Sequence, residues 1–238
     1  MNANWAGTVH HGVAADIYEF HPTSEGYLAF LGRISPEKRP DRAIEIARRL
    51  GKRLRIAAKV DAADQRYFAD VIEPLIRAAG PRVEFIGEIG DGQKSAFLGG
   101  AEALLFPIDW PEPFGLVMIE AMACGTPVVA YACGSVPEVI EEGVTGFIVR
   151  TDDEACAAVA RIGELDRGLV RQRFDARYSA TAMARRYLAL YSRLDQAASP
   201  AHPAAGPLAE MPIALTGEAL SCPRPGLGLI GLDLAATA

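Results

Sequence analysis

The sequence predicts an α/β fold, a parallel sheet with crossover helices, on three observations. Short apolar runs rich in β-branched or aromatic residues alternate with longer helical patterns. Half of the 238 residues are hydrophobic, which is ample for a buried core in one large or two small domains. Helix start and stop signals fall between the runs.

The strand candidates, in order, are residues 27–31, 54–58, 83–86, 103–106, 128–131 and 147–149. Between the first two, residues 41–50 place Ala43, Ile44, Ala47 and Leu50 on one helical face, and Gly51 follows as a stop. The last strong helix starts after Ser179, a residue suited to N-capping. It carries Met183, Tyr187, Leu190, Tyr191 and Leu194 on a stripe that needs cover. From residue 196 onward there are six prolines, little charge and no sustained period, so residues 195–238 are expected to form a disordered or loosely docked tail. No internal repeat is present.

Bulk properties narrow the function. A net charge of −6 and the lack of any Lys/Arg-rich block argue against a nucleic-acid partner. No run approaches the ~20 apolar residues of a membrane span, and residues 1–8 lack the regions of a signal peptide, so the expected compartment is the cytoplasm. Cys124, Cys133, Cys156 and Cys222 show no CxxC spacing, which argues against a zinc site or a disulfide framework and for reduced thiols. His10, His11 and His21 lack the carboxylates that would complete a metal site, and no metal is expected.

Two segments carry candidate chemistry. The first, Gly32-Arg33-Ile34-Ser35-Pro36-Glu37-Lys38, follows the first strand, at the edge where parallel sheets bind ligands. Gly32 admits close backbone approach, while Arg33 and Lys38 supply two cations suited to a diphosphate. A solvated loop, with those cations paired to Glu37 and Asp41, is the plainer alternative. The second segment runs from Glu112 through Pro113, Phe114, Gly115 and Leu116 to Glu120, in a loop that leads into a helix beginning near Phe114. A loop carboxylate above a helix N-terminus with free amides makes a corner for recognising hydroxyls. Glu120, among apolar neighbours, is either an exposed-face carboxylate or a second site acid.

The ordered set GRxxxEK, VEFIG, two glutamates eight apart, ACGTPVVA, GSVPEVI and TGFIV resembles the family 4 glycosyltransferases, over nearly all of residues 9–194. The resemblance implies a Rossmann-like parallel sheet with helices on both faces, the C-terminal donor-binding half of a two-domain GT-B enzyme that retains anomeric configuration. By it, residues 1–22 are an interdomain-type lead-in, with His11 where the family usually has Asn, and residues 23–194 are the nucleotide-sugar domain. Arg33 and Lys38 would bind the donor diphosphate, Glu112 the sugar hydroxyls and Glu120 the ribose. The amides of Phe114, Gly115 and Leu116 would complete the sugar pocket, and Gly87 and Ile89 would meet the base. The Gly134–Glu138 stretch resembles the family's loop near the donor phosphates. Ala57-Ala58-Lys59-Val60-Asp61 replaces the family's usual Gly-rich turn. Hexosyl transfer to an unknown acceptor hydroxyl is implied, with no cofactor or metal, and with a separate acceptor-binding domain or self-association as the expected partner. A truncated nucleotide-sugar-binding module and an epimerase-like protein are the alternatives, because fold does not fix function.

Overall fold

The computed structural model describes residues 5–198. Six strands, β1 (Tyr27–Arg33), β2 (Arg53–Lys59), β3 (Val83–Gly87), β4 (Ala101–Phe106), β5 (Val128–Tyr131) and β6 (Gly146–Val149), form one parallel sheet in the order β3-β2-β1-β4-β5-β6. Every expected strand is present, shifted by at most two residues at an end.

Helices follow the strands as right alternation requires: α1 (Pro40–Leu50), then α2 (Gln65–Tyr67), which runs through a π turn at Phe68–Ile72 into α3 (Glu73–Ala79). Next come α4 (Asp91–Gly99), α5 (Leu116–Ala123), α6 (Val136–Val139), α7 (Asp152–Arg161), α8 (Arg167–Arg177) and α9 (Ala180–Ala198). Gly51 ends α1 in the left-handed region (φ 63°), its amide bonded to the Ala47 and Arg48 carbonyls, as the stop signal requires. The Thr151 hydroxyl caps α7 by accepting from the Glu154 amide, with Asp152 and Asp153 in the first turn. Ser179 caps α9 through its hydroxyl, which accepts from the Ala182 amide at 3.2 Å.

Both faces of the sheet are covered. Strand alternation sends Leu28 and Phe30 to one side, where they meet Ile44, Ile46 and Ala47 of α1 and Ala155 and Val159 of α7. Tyr27 and Ala29 point to the other side, against Phe97 and Leu98 of α4, Met118 and Met122 of α5 and Val170 and Phe174 of α8. The lead-in residues join this second layer. Tyr18 is 5% exposed, and the Val13 amide and carbonyl bond to Tyr178 and Ala180 at the start of α9. Two arginines of α8 fasten the segment: the Arg167 guanidinium donates to the carbonyls of His21, Gly99 and Ala101, and Arg171 to those of Ala15, Tyr18 and Ala123.

The final helix extends to Ala198, beyond the Leu194 expected from its stripe. Of the stripe, Met183 and Leu190 are half-buried against the lead-in, while Tyr187, Tyr191 and Leu194 are exposed together with Leu188, so the described residues cover it only in part. Most of the expected tail, residues 199–238, lies outside the described residues. Cys124 and Cys156 are free thiols, and Cys222 lies outside the described residues.

Candidate functional site

Strand order alone makes an opening at one place. β1 has β2, its successor, on one side and β4 on the other, and at such a reversal the crossover connections leave in opposite directions. The β1–β4 ladder covers Tyr27↔Ala101, Leu28↔Ala103 and Ala29↔Leu104, while β1 continues to Arg33 and β4 to Phe106. Past the ladder the two strand ends flank a cavity of about 430 Å³. It is lined by Phe30, Leu31, Gly32 and Arg33 from β1, Lys38 from the following turn, Phe106 and Ile108 after β4, residues 112–117, and His11 from the lead-in. That size is within the usual range for small-molecule sites.

Lys38 is turned back toward the sheet by a short 3-10 helix, Pro36–Lys38, closed by the Lys38 amide on the Ser35 carbonyl at 3.1 Å. The same turn is tied to the loop after β4, where the Asp109 amide donates to the Glu37 carbonyl at 2.9 Å. The Lys38 Nζ reaches Glu112 Oε2 in an ion pair whose side chains are 18% and 13% exposed. The Trp110 indole N–H also donates to Glu112 Oε2, at 2.9 Å, and the Lys38 ammonium lies 5.1 Å from the Trp110 ring centroid. Arg33 is half exposed and pairs more loosely, with Glu37 at 3.5 Å and Asp61 at 3.6 Å. Asp61 also takes the Lys59 ammonium at 2.9 Å, and these partners, Lys59 first, hold its carboxyl below the usual range. The plainer alternative is thus partly realised: Arg33 pairs with Glu37 as that reading had it, but also with Asp61, and Lys38 pairs with Glu112. Asp41 is bound to Arg39 instead.

The Glu112–Leu116 loop is held from behind. Gly134 sits in the left-handed region (φ 57°) with its Cα against the Glu112 backbone, where a Cβ would approach the Glu112 N and O to 2.4 Å. The adjacent Ser135 amide donates to the Glu112 carbonyl at 3.0 Å, and its hydroxyl to the Phe114 carbonyl at 2.8 Å. The GSVPE stretch therefore braces the loop, and Glu138 points elsewhere, to His10 Nε2 at 3.1 Å. Gly115 (φ 76°) leads into α5, which begins at Leu116, two residues later than expected and without a side-chain cap at its N-terminus. Those first amides face the cavity end of the helix.

Of the ten residues singled out in the sequence, Gly32, Arg33, Lys38, Glu112, Phe114, Gly115 and Leu116 line this one cavity. Gly87, Ile89 and Glu120 do not. Ile89 packs against the core layer that contains α5, and Gly87 closes β3 with φ 75°. Glu120 is 9% exposed, so it is not on an exposed helix face. Its Oε1 accepts from the Tyr18 hydroxyl at 2.8 Å and from the Lys94 ammonium at 3.5 Å. His11, Phe106 and Ile108 were not singled out as ligand contacts. The two residues after β4 follow from the same strand-edge rule that picked Gly32 and Arg33, applied to both strands at the reversal. His11 has no such signal, since its ring reaches Phe114 (5.0 Å, edge-on) only because the lead-in crosses the start of α9. Among the described residues no group of three or more His, Cys, Asp or Glu is placed to hold a metal ion, and no helix is long and apolar enough to cross a membrane.

Comparison with known proteins gives a consistent result. The family described as "Glycosyl transferases group 1" matches residues 18–175. D-inositol 3-phosphate glycosyltransferases of Mycobacterium tuberculosis and Mycobacterium bovis are 33% identical over 173 residues, covering 67% of this chain and 35% of theirs. The chain thus spans about a third of the length of these relatives. Among solved structures, AviGT4, a glycosyltransferase involved in avilamycin A biosynthesis, aligns with a TM-score of 0.67 at 26% identity, over 81% of this chain and 59% of its own. Anabaena HepE in complex with UDP and glucose aligns with a TM-score of 0.69 at 20% identity, over 79% of this chain and 57% of its own, a likeness of fold.

Proposed function

The chain belongs to the group 1 glycosyl transferases, and from that premise we propose that it is the C-terminal, donor-binding half of a retaining, family 4 GT-B enzyme. The donor is a nucleoside-diphosphate hexose, and the acceptor hydroxyl is bound by a second domain. The observation that carries this reading is the convergence of two cations, one carboxylate and an uncapped helix N-terminus on a single cavity at the strand reversal.

The chemistry follows from charge. When the bond between the anomeric carbon and the phosphate oxygen breaks, positive charge grows on the sugar and negative charge on the leaving diphosphate. Arg33 and Lys38 would stabilise the latter without a metal. The Lys38 ammonium is held by Glu112. A diphosphate competes for that cation, and the carboxylate it releases becomes an acceptor for sugar hydroxyls. Donor binding would thus exchange one ion pair for two substrate contacts. Glu120 would serve the ribose, and Gly87, at the end of β3, and Ile89, just past it, the base.

Calorimetric titration of the full chain with UDP, GDP and ADP, each with and without magnesium, tests this reading. The UDP complex of the Anabaena HepE fold relative makes UDP the first to try. One of the three is expected to bind without metal, and Arg33→Ala and Glu120→Ala are each expected to weaken it by roughly tenfold or more, the scale of one hydrogen bond to a charged group. Unchanged affinity in both variants would remove the assignment.

A further inference from the structure

Glu120 is a carboxylate 9% exposed on a helix whose other residues from Met118 to Ala123 are apolar and buried. Burying such a group is costly unless it is paired and hydrogen-bonded. Its pairing is one-sided. Oε1 accepts from the Tyr18 hydroxyl at 2.8 Å and from the Lys94 ammonium at 3.5 Å, while no hydrogen bond among the described residues reaches Oε2. Glu120 follows the cavity-lining Leu116 and Val117 by four and three residues, which puts all three on one helical face.

We propose that Tyr18 and Lys94 are positioning residues, which hold one oxygen of Glu120 and leave the other to accept a ribose hydroxyl of the donor nucleotide. The inference rests on the donor-site reading and adds to it the groups that set ribose recognition. Three separate elements meet at this carboxylate: the lead-in, α4 and α5. One guanidinium bridges the lead-in and α5, since Arg171 Nη1 donates to the Tyr18 carbonyl at 3.0 Å and to the Ala123 carbonyl at 2.6 Å. Lys94 is fixed on α4 by Asp91, 3.0 Å away. Burial, followed by the Glu120 bond, raises the Tyr18 hydroxyl above its ordinary pKa, so the phenol stays a donor throughout the working pH range. A carboxylate with one oxygen occupied by two fixed donors cannot rotate freely, and its second oxygen has a set direction.

The test compares ribose with deoxyribose on the full chain. UDP, GDP and ADP are titrated alongside their 2′-deoxy and 3′-deoxy counterparts against the wild type, Tyr18→Phe and Lys94→Met. The wild type is expected to favour the ribonucleotide over one of the two deoxy forms by roughly tenfold or more. In Tyr18→Phe that preference is expected to shrink at least about threefold, and Lys94→Met, at a partly exposed position, gives the same readout if the buried Phe variant does not fold. A purely structural contact would lower affinity for ribose and deoxyribose forms by one common factor, and that result overturns the inference. So does a wild type with no ribose preference. A wild type that binds none of the nucleotides removes the donor-site reading itself, and this inference with it.

Discussion

The Lys38–Glu112 pair is the most consequential contact in the molecule at the scale of single residues. Both side chains are mostly buried, and the Trp110 indole shares the same carboxylate oxygen. Removing one partner leaves a charge stranded, whereas removing both leaves neutral groups of similar shape. Lys38→Met and Glu112→Gln are therefore each expected to destabilise the fold by about 1–3 kcal/mol, with the double variant closer to the wild type than either single one. Urea unfolding midpoints check this, and additive losses would contradict it. Arg33, Lys38 and Glu112 were legible in the sequence as candidate groups because each falls beside a strand end or a helix start. Their pairing was not. The two partners are 74 residues apart, and bringing them together depends on β4 lying next to β1, which an alternation of strands and helices does not specify. Tyr18 escaped notice for the same reason, since only the path of the lead-in over α5 carries its hydroxyl to Glu120.

At the scale of elements, the Glu112–Leu116 loop depends on a neighbour with no side chain. Gly134 combines a left-handed backbone with close approach to the Glu112 N and O, so a methyl group there has no room and the loop must shift. Gly134→Ala is expected to cost about 1–3 kcal/mol of stability and to weaken the proposed nucleotide binding, read by thermal unfolding and calorimetry on the same preparation. Wild-type affinity in this variant would show that the loop does not need its brace. The strands were readable as elements because their apolar runs are short and well bounded, and α9 because its stripe follows a capping serine. Helix α8 was less so: Arg167–Arg177 interleaves arginines with Val170 and Phe174, and two of those arginines serve inward-facing carbonyls. Charge on that helix reads as a solvated face in the sequence, while the fold uses it to fasten the lead-in.

For the whole molecule, the exposed Tyr187, Leu188, Tyr191 and Leu194 form an apolar stripe on α9. Binding of an environment-sensitive apolar dye to the full chain is expected to fall severalfold in a Leu188→Lys, Tyr191→Lys double variant with an unchanged unfolding midpoint. Equal dye binding would place the accessible apolar surface elsewhere. The sheet order carries a different consequence. β1, β2 and β3 neighbour one another in sequence order, as do β4, β5 and β6, and the two sets meet along three residue pairs between β1 and β4. The cavity lies at the end of that meeting line. Apart from His11 of the lead-in, its lining is divided between the two sequential three-strand units. A ligand seated there is therefore a clasp: it is gripped only when the two units are docked in register, and it resists their separation while leaving the ladders inside each unit as they were.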